Sequence, residues 1–168
     1  NNQINELNVL EARTDGSVVG SMSGGNNSFR NDPVGTQRTF ELKYTFVQTG
    51  NTTPVPVSFE VELGDVDHIV QNSNQPGSRR EFIQVSSTDI DGFFFSNPTN
   101  MIATAINSGT DVEFFNQDIT TTNPSSIPEN AVKLQLRNTS SLNVVYGAEK
   151  TRNNAIIGNT GFRFDAQD

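Results

Sequence analysis

Three segments of this chain alternate apolar and polar residues with a period of two. Apolar side chains occupy every second position of Phe40–Phe46, of Val57–Leu63 and of Val132–Leu136. Successive side chains of a β-strand point to opposite faces of its sheet, so this pattern predicts antiparallel strands with one buried and one solvated face. Apolar residues at helical spacing do not continue beyond a turn or two in any segment. The chain is therefore predicted to be all-β.

Eight further segments carry weaker strand signals and are separated by turn residues. They are Leu7–Arg13, Ser17–Ser23, Glu81–Ser87, Gly92–Ser96, Met101–Asn107, Asp111–Asn116, Leu142–Gly147 and Gly161–Ala166. About ten or eleven short strands at this spacing predict an antiparallel β-sandwich, and the jelly roll is the best match among sandwich types. The length of 168 residues fits a single domain, 1–168. Residues 1–8 are interpreted either as a linker or as a strand donated to a neighbouring copy.

The charge balance limits the classes of partner. The net charge is −8 at pH 7, and Arg79-Arg80 is the longest run of basic residues. Binding to phosphates requires concentrated lysine and arginine, so nucleic acid and anionic membranes are disfavoured as partners. Insertion into a membrane is not expected either, because the chain has no run of about 18 apolar residues.

Residues that build common catalytic centres are scarce. The chain has no cysteine and one histidine, His68, which excludes a disulfide, a thiolate nucleophile and a His/Cys zinc site. A Ser-His-Asp triad would have to use His68, and the Gly-x-Ser-x-Gly turn of the α/β-hydrolases is absent. The 19 acidic residues always permit a glycosidase-like pair, so their number does not indicate one. The chain is predicted not to be an enzyme.

Two pairs of aspartates at strand ends are the candidate metal ligands. Asp65 and Asp67 follow one strand, and Asp89 and Asp91 follow Glu81–Ser87, each pair at inward positions if the strand alternation continues. Four carboxylates at one end of a sandwich repel one another unless a cation lies among them, and Ca²⁺ suits such an oxygen-rich site better than Mg²⁺. The sequence therefore predicts a Ca²⁺ site. The alternative is that each aspartate forms a turn where its strand ends.

Three aromatic residues are candidates for contact with a ligand or partner. Phe29 lies in the Asn/Gly-rich segment Gly24–Gly35, and Phe94 is the middle one of three consecutive phenylalanines, which cannot all face one side of a strand. Tyr146 continues one face of a late strand. The alternatives are that Phe29 folds beneath its own loop and that loops cover Phe94. Binding to sugars on an aromatic platform is disfavoured, because the chain has no Trp and two Tyr.

Four segments follow one another in a characteristic order. They are PVPVSFEVELGDVDH (Pro54–His68), REFIQVSSTDIDG (Arg80–Gly92), AVKLQLRN (Ala131–Asn138) and GFRFDA (Gly161–Ala166). This order, over about residues 36–166, resembles a broad group of bacterial extracellular β-sandwich domains from surface adhesins and secreted matrix proteins. The resemblance implies export, a role in adhesion or in a matrix such as that of a biofilm, and often Ca²⁺; it touches Asp65, Asp67 and Asp165. The Gly-rich Ca²⁺ repeats of large adhesins are missing.

Two classes of function are consistent with these features. The leading hypothesis is a non-enzymatic structural or adhesive module outside the cell or on its surface. It is either an adhesin domain that binds a cell-surface glycan or protein, or a filament subunit completed by strand exchange with another copy. Segment Ile4–Arg13 has the length and mixed polarity of a donated strand. The alternative is a carbohydrate-binding accessory module of a secreted carbohydrate-active enzyme.

Overall fold

Two antiparallel β-sheets form the fold. The computed structural model describes residues 6–12, 18–23, 32–48, 50–70, 78–117, 128–151 and 160–167. These residues form twelve strands and two short 3-10 turns, Asn107–Gly109 and Pro128–Asn130. The prediction of an all-β chain with two antiparallel sheets is confirmed. None of the described segments is a helix long and apolar enough to cross a membrane.

The twelve strands are numbered in chain order. They are β1 (Glu6–Ala12), β2 (Val18–Ser23), β3 (Gln37–Thr45), β4 (Glu60–Gly64), β5 (His68–Val70), β6 (Ser78–Ser86), β7 (Gly92–Phe95), β8 (Met101–Ile106), β9 (Asp111–Asn116), β10 (Val132–Gln135), β11 (Ser141–Lys150) and β12 (Thr160–Gln167). Each of the eleven strands predicted from the sequence overlaps one of these. The strand that the sequence did not predict is β5, whose three residues open a segment rich in turn formers.

The strand order places β1 and β7 at the two edges of the first sheet. This sheet has the order β1-β2-β12-β4-β10-β7, and the second has the order β3-β11-β6-β9-β8, with β5 pairing with β6. β1 pairs with β2 of its own chain, from Glu6 opposite Ser23 to Ala12 opposite Val18. Residues 6–12 therefore complete the edge of their own sheet in this structure.

The core lies between the sheets and follows the sequence alternation. In the first sheet Val61 lies opposite Leu134 and Leu63 lies opposite Val132, and all four side chains are fully buried. The second sheet contributes further buried side chains from its inward positions: Ile83, Val85, Phe114, Leu142, Val144 and Tyr146. Burial of an apolar side chain of this size contributes about 1.5–3 kcal/mol. The layer between the sheets is thus the main source of stability.

Gly147 has a packing role on the other face of the second sheet. It lies directly opposite Phe82 of β6, and the ring of Phe82, which is 1% exposed, covers it. A Cβ atom added to Gly147 would lie 2.2 Å from Cζ and 2.5 Å from Cε2 of this ring. The ring fills the space that the missing side chain leaves, as aromatic residues do beside cross-strand glycines.

We expect Gly147→Ala to lower the free energy of unfolding by about 1–3 kcal/mol, because the Phe82 ring or the strand must move. Urea unfolding measures the change. Gly92→Ala is the matched control, since it also lies in a strand and its added Cβ would meet nothing closer than Gln135 Oε1 at 3.9 Å. The control should change stability by no more than about 0.5 kcal/mol. Equal effects of the two substitutions would contradict this packing.

Candidate functional site

β7 is the outermost strand at one edge of the first sheet. It pairs with β10, with Phe94 opposite Lys133 and Phe93 opposite Leu134, and no described strand pairs with its outer edge. Because side chains alternate along a strand, Phe93 and Phe95 face the core and Phe94 faces outward. The three consecutive phenylalanines therefore divide between the two faces, as the sequence predicted that they must.

Both faces of β7 expose aromatic surface. Phe94 is 51% exposed on the outer face. Phe93 is 38% exposed, although its ring contacts that of Phe114 in the opposite sheet, with 5.0 Å between the ring centroids. The inward ring of Phe93 stays exposed because β7 is the last described strand on this side of the sandwich. Two adjacent aromatic residues are thus open to solvent on opposite faces of one edge strand.

A cleft of about 430 Å³ lies beside Phe94 on the outer face of the first sheet. Its walls are Glu62, Phe94, Phe95, Ser96, Pro128, Ala131 and Lys133. Lys133 and Glu62 form an ion pair, with 3.9 Å between Nζ and Oε2. Ser96 Oγ donates to the carbonyl oxygen of Pro98 at 2.6 Å and lies 3.1 Å from the carbonyl oxygen of Pro128 in the nearby 3-10 turn. One aromatic ring beside a pair of opposite charges suits either an extended peptide or a sugar.

Phe94 and Phe29 are two of the three predicted contact residues. The outward, exposed position of Phe94 is compatible with contact to a partner, and the contact itself stays a prediction. Phe29 lies outside the described residues, so its contact stays a prediction as well.

Tyr146, the third predicted contact residue, lies in the core. It is 2% exposed, its ring stacks on Phe40 with 5.3 Å between centroids, and its hydroxyl oxygen is 3.0 Å from that of Tyr44 in a hydrogen bond. The prediction that Tyr146 contacts a ligand or partner is wrong, because its position on β11 faces inward between buried Val144 and Ala148.

The two aspartate pairs lie at opposite ends of β6. The backbone N–H of Glu81, near the start of β6, donates to the carbonyl oxygen of Asp67 at 2.8 Å. The N–H of Asp89 donates to the carbonyl oxygen of Ser86, where β6 ends, at 3.1 Å. Ser86 is five positions after Glu81 along the extended strand, a distance of about 16 Å. The prediction that the four carboxylates converge on one ion is wrong, because residues 87–89 form a turn and the alternation of β6 stops at Ser86.

The other two aspartates depart from the predicted inward positions. Asp65 has a φ of 66° in the left-handed region, so the alternation of β4 ends at Gly64. Asp91 is exposed, and its carboxylate forms an ion pair with the guanidinium of Arg137. Asp91 is thus a surface partner of an arginine.

Asp67 is the buried member of the four, and amide groups surround it. Asn130 Nδ2 donates to Asp67 Oδ1 at 2.9 Å. Asn130 Oδ1 accepts from Asn116 Nδ2 at 2.9 Å and from Asn100 Nδ2 at 3.0 Å. Glu81 Oε2 accepts the backbone N–H of Asp67 at 3.0 Å. We call these five residues the polar cluster.

The hydrogen bonds of the polar cluster do not themselves indicate a Ca²⁺ site, and Ca²⁺ binding by Asp67 stays a prediction. Asp67 and Glu81 each accept an N–H hydrogen bond on one carboxylate oxygen, whereas Ca²⁺ takes about six to eight oxygen ligands. Among the described residues, no three Asp, Glu or His side chains gather closely enough to hold a metal ion. The observed hydrogen bonds instead satisfy polar groups that the fold buries.

The sequence analysis did not predict that the asparagines of the polar cluster are buried, although the burial of Asn116 could have been predicted. Asn116 continues the inward alternation of Val112 and Phe114 on β9, so the same pattern that identified the core placed it there. Asn130 lies in a 3-10 turn, where no periodic pattern exists to reveal its burial.

Comparison with known proteins adds little. No protein-family model matches the chain, and no curated protein matches its sequence. A solved structure described as "AvmM Catalyzes Macrocyclization in Alchivemycin A Biosynthesis" aligns with 86% of this chain and 72% of that chain, at 14% identity and a TM-score of 0.23. A similarity this low carries no argument about fold or function.

The buried tyrosine pair predicts a loss of stability at high pH. Burial raises the pKa of Tyr44 from 10.0 to about 12, with a smaller lowering from the hydrogen bond to Tyr146. Burial also raises the pKa of Tyr146 well above 10.0. In the unfolded chain the phenols have the ordinary pKa of 10.0, below their values in the folded chain. The free energy of unfolding therefore keeps its full value below pH 10.0 and falls as the pH rises towards about 12, because the unfolded chain loses these protons first.

Tyrosinate absorbance tests this, since the chain has two Tyr and no Trp. We expect little tyrosinate in the folded protein just above pH 10.0, and a rise that coincides with the loss of the circular dichroism signal. Tyr44→Phe leaves Tyr146 as the sole reporter, and its ionisation should also coincide with unfolding. Titration of both phenols near pH 10.0 in a folded chain would contradict the buried pair.

Proposed function

We propose that this chain is a non-enzymatic extracellular module with a structural or adhesive role, and that it binds an extended protein segment along β7. The observation that carries the proposal is the exposed aromatic surface of Phe93 and Phe94 on an edge strand. A strand added to β7 would form main-chain hydrogen bonds with it and would cover both rings. Natural edge strands oppose such pairing by being short or by carrying charges, proline or a bulge; β7 has four residues, but its sequence, Gly-Phe-Phe-Phe, carries no charge, proline or bulge.

The strand order supports a jelly roll as the finer description of the sandwich. An eight-stranded jelly roll has sheets in the orders one-eight-three-six and two-seven-four-five. The orders β2-β12-β4-β10 and β3-β11-β6-β9 correspond to these when the same eight strands are numbered along the chain. β7 and β8 are then an insertion between the fourth and fifth strands that extends both sheets on one side. The proposed binding edge belongs to this insertion.

The remaining parts of the proposal rest on the sequence. The absence of cysteine, the single histidine and the resemblance to exported adhesin and matrix domains favour an extracellular, non-catalytic role. Calcium binding by one aspartate pair alone stays a prediction, to which the hydrogen bonds of Asp67 give no support.

A carbohydrate-binding accessory module is the second candidate. The cleft beside Phe94 favours it, because Glu62, Lys133 and Ser96 place polar groups around one exposed ring. A single phenylalanine is a weaker stacking surface than the Trp or Tyr platforms of most sugar sites. A bound sugar would leave the backbone N–H and C=O groups of β7 without a partner strand, whereas an extended peptide would pair with them. The edge position of β7 therefore favours the peptide.

Selection of a displayed heptapeptide library against the full chain tests the proposal. We expect the selected peptides to be rich in β-branched and aromatic residues, and their affinity to fall at least tenfold in Phe94→Lys. Val34→Lys is the matched control, since Val34 is 50% exposed and lies next to β3, away from β7. The control should bind the peptides as the wild-type chain does.

A glycan array with the same three proteins separates the two candidates. Binding of a glycan that Phe94→Lys abolishes, without selection of any peptide, would favour the carbohydrate module and contradict strand addition. Peptide binding that survives Phe94→Lys would also contradict the proposal, because the site would then lie elsewhere.

A further inference from the structure

We propose that the segment bound along β7 is β7 of a second copy of this chain, related to the first by a two-fold axis perpendicular to the sheet. The inference rests on the proposed function, since it names the partner for the same edge. Each copy would extend the first sheet of the other, and the two β7 strands would pair antiparallel at the centre of a continuous sheet.

The distribution of charge among the edge strands favours this pairing. β1, at the other edge of the first sheet, carries Glu6 and Glu11 and has a register shift between Leu7 and Val9. Both features oppose the addition of a strand. β3, at one edge of the second sheet, carries three charged residues in its nine. β7 and β8 carry none, so the uncharged edges of the two sheets are those of the insertion.

The two uncharged edges lie on the same side of the sandwich. Phe93 and Phe95 of β7 contact Phe114 of β9, with ring centroids 5.0 Å and 6.2 Å apart, and β9 is the neighbour of β8. A second copy that approaches β7 therefore also approaches β8. An apolar edge is complementary to another copy of itself, which is the condition for a two-fold interface.

The charges nearest to β7 are compensated within the chain. Asp91, directly before β7, pairs with Arg137, and Lys133, opposite Phe94, pairs with Glu62. The chain as a whole carries a net charge of −8, and two copies repel each other wherever their acidic residues meet. In each of these two ion pairs an acid is balanced by a base, so the pairs add little to this repulsion where β7 meets its copy.

The alternation of β7 fixes the register of the pair. Residues directly opposite each other in an antiparallel pair share a face, so the inward residues of one copy must meet inward residues of the other. Phe94 then lies opposite Phe94 of the second copy on the outer face. Phe93 lies opposite Phe95 of the second copy on the inner face. This register covers the two exposed rings of each chain.

Mass measurement by light scattering during size-exclusion chromatography tests the inference on the full chain. We expect the wild-type chain and Val34→Lys to have twice the mass of one chain, and Phe94→Lys to have the mass of one chain. Circular dichroism of Phe94→Lys should match that of the wild type, because Phe94 faces solvent. A wild-type monomer at every concentration would overturn the inference, and so would equal loss of the dimer in both variants.

A single introduced cysteine distinguishes a two-fold pair from other assemblies, since the chain has none of its own. Directly opposite residues bring their Cβ atoms to about 4.5–5.5 Å, close to the separation that a disulfide needs. Phe94→Cys should therefore form a disulfide-linked dimer on mild oxidation, and Val34→Cys, of similar exposure, should not. An open ladder of masses in the wild type would contradict the two-fold pair.

The outcomes separate this inference from the proposed function. A monomeric wild-type chain that still binds the selected heptapeptides through Phe94 overturns the inference alone. A chain that neither dimerises nor binds peptides overturns both.

Discussion

The apolar layer between the two sheets is the constraint on which the rest of the structure depends. A slip of one residue between β4 and β10 would turn Val61 and Leu63 to the solvent, so the register of these central strands is strongly specified. At one end of the layer the inward positions are polar, as with Asn116 of β9 and Glu81 of β6. An unsatisfied polar group there would cost about 1–3 kcal/mol, and the hydrogen bonds of the polar cluster remove that penalty. The buried layer can thus include polar residues at this end without leaving their hydrogen-bonding groups unsatisfied.

The layer also explains why β7 exposes large apolar side chains, which no other strand with described side-chain burial does. β7 and β8 extend both sheets beyond β10 and β9, and the layer between them ends at Phe93. A buried layer that stops at an aromatic ring leaves that ring partly in water, unless a further strand covers it. The same edge carries Phe94 on the outer face. A partner strand on β7 would therefore satisfy backbone and apolar groups together, which is the physical reason to treat this edge as the functional surface.

Much of the fold, and less of the site, could be predicted from the sequence. Alternation located β4 and β10 because burial of one face of a strand leaves a period-two pattern, whereas a helix leaves a period of 3.6. The same reasoning failed at Asp91, since a turn after Ser86 resets the alternation and no local pattern shows where a strand ends. Tyr146 could not be placed because its face is buried only through the pairing of β11 with β3 and β6, which is a long-range property. The exposed, outward position of Phe94 could be predicted, because three consecutive aromatic residues on a strand must divide between its two faces.

The central claim is that the edge of β7 forms backbone hydrogen bonds with a second strand in solution. Hydrogen–deuterium exchange of the amides of residues 92–95, followed as a function of protein concentration, measures this most directly. Because β7 already pairs with β10, the informative amides are those of residues 92–95 whose N–H groups point away from β10. The account predicts that exchange at these outward amides slows as the wild-type chain is concentrated, and that it is independent of concentration in Phe94→Lys. Exchange at the outward amides that is equally fast in the wild-type chain and in Phe94→Lys at every concentration would contradict it.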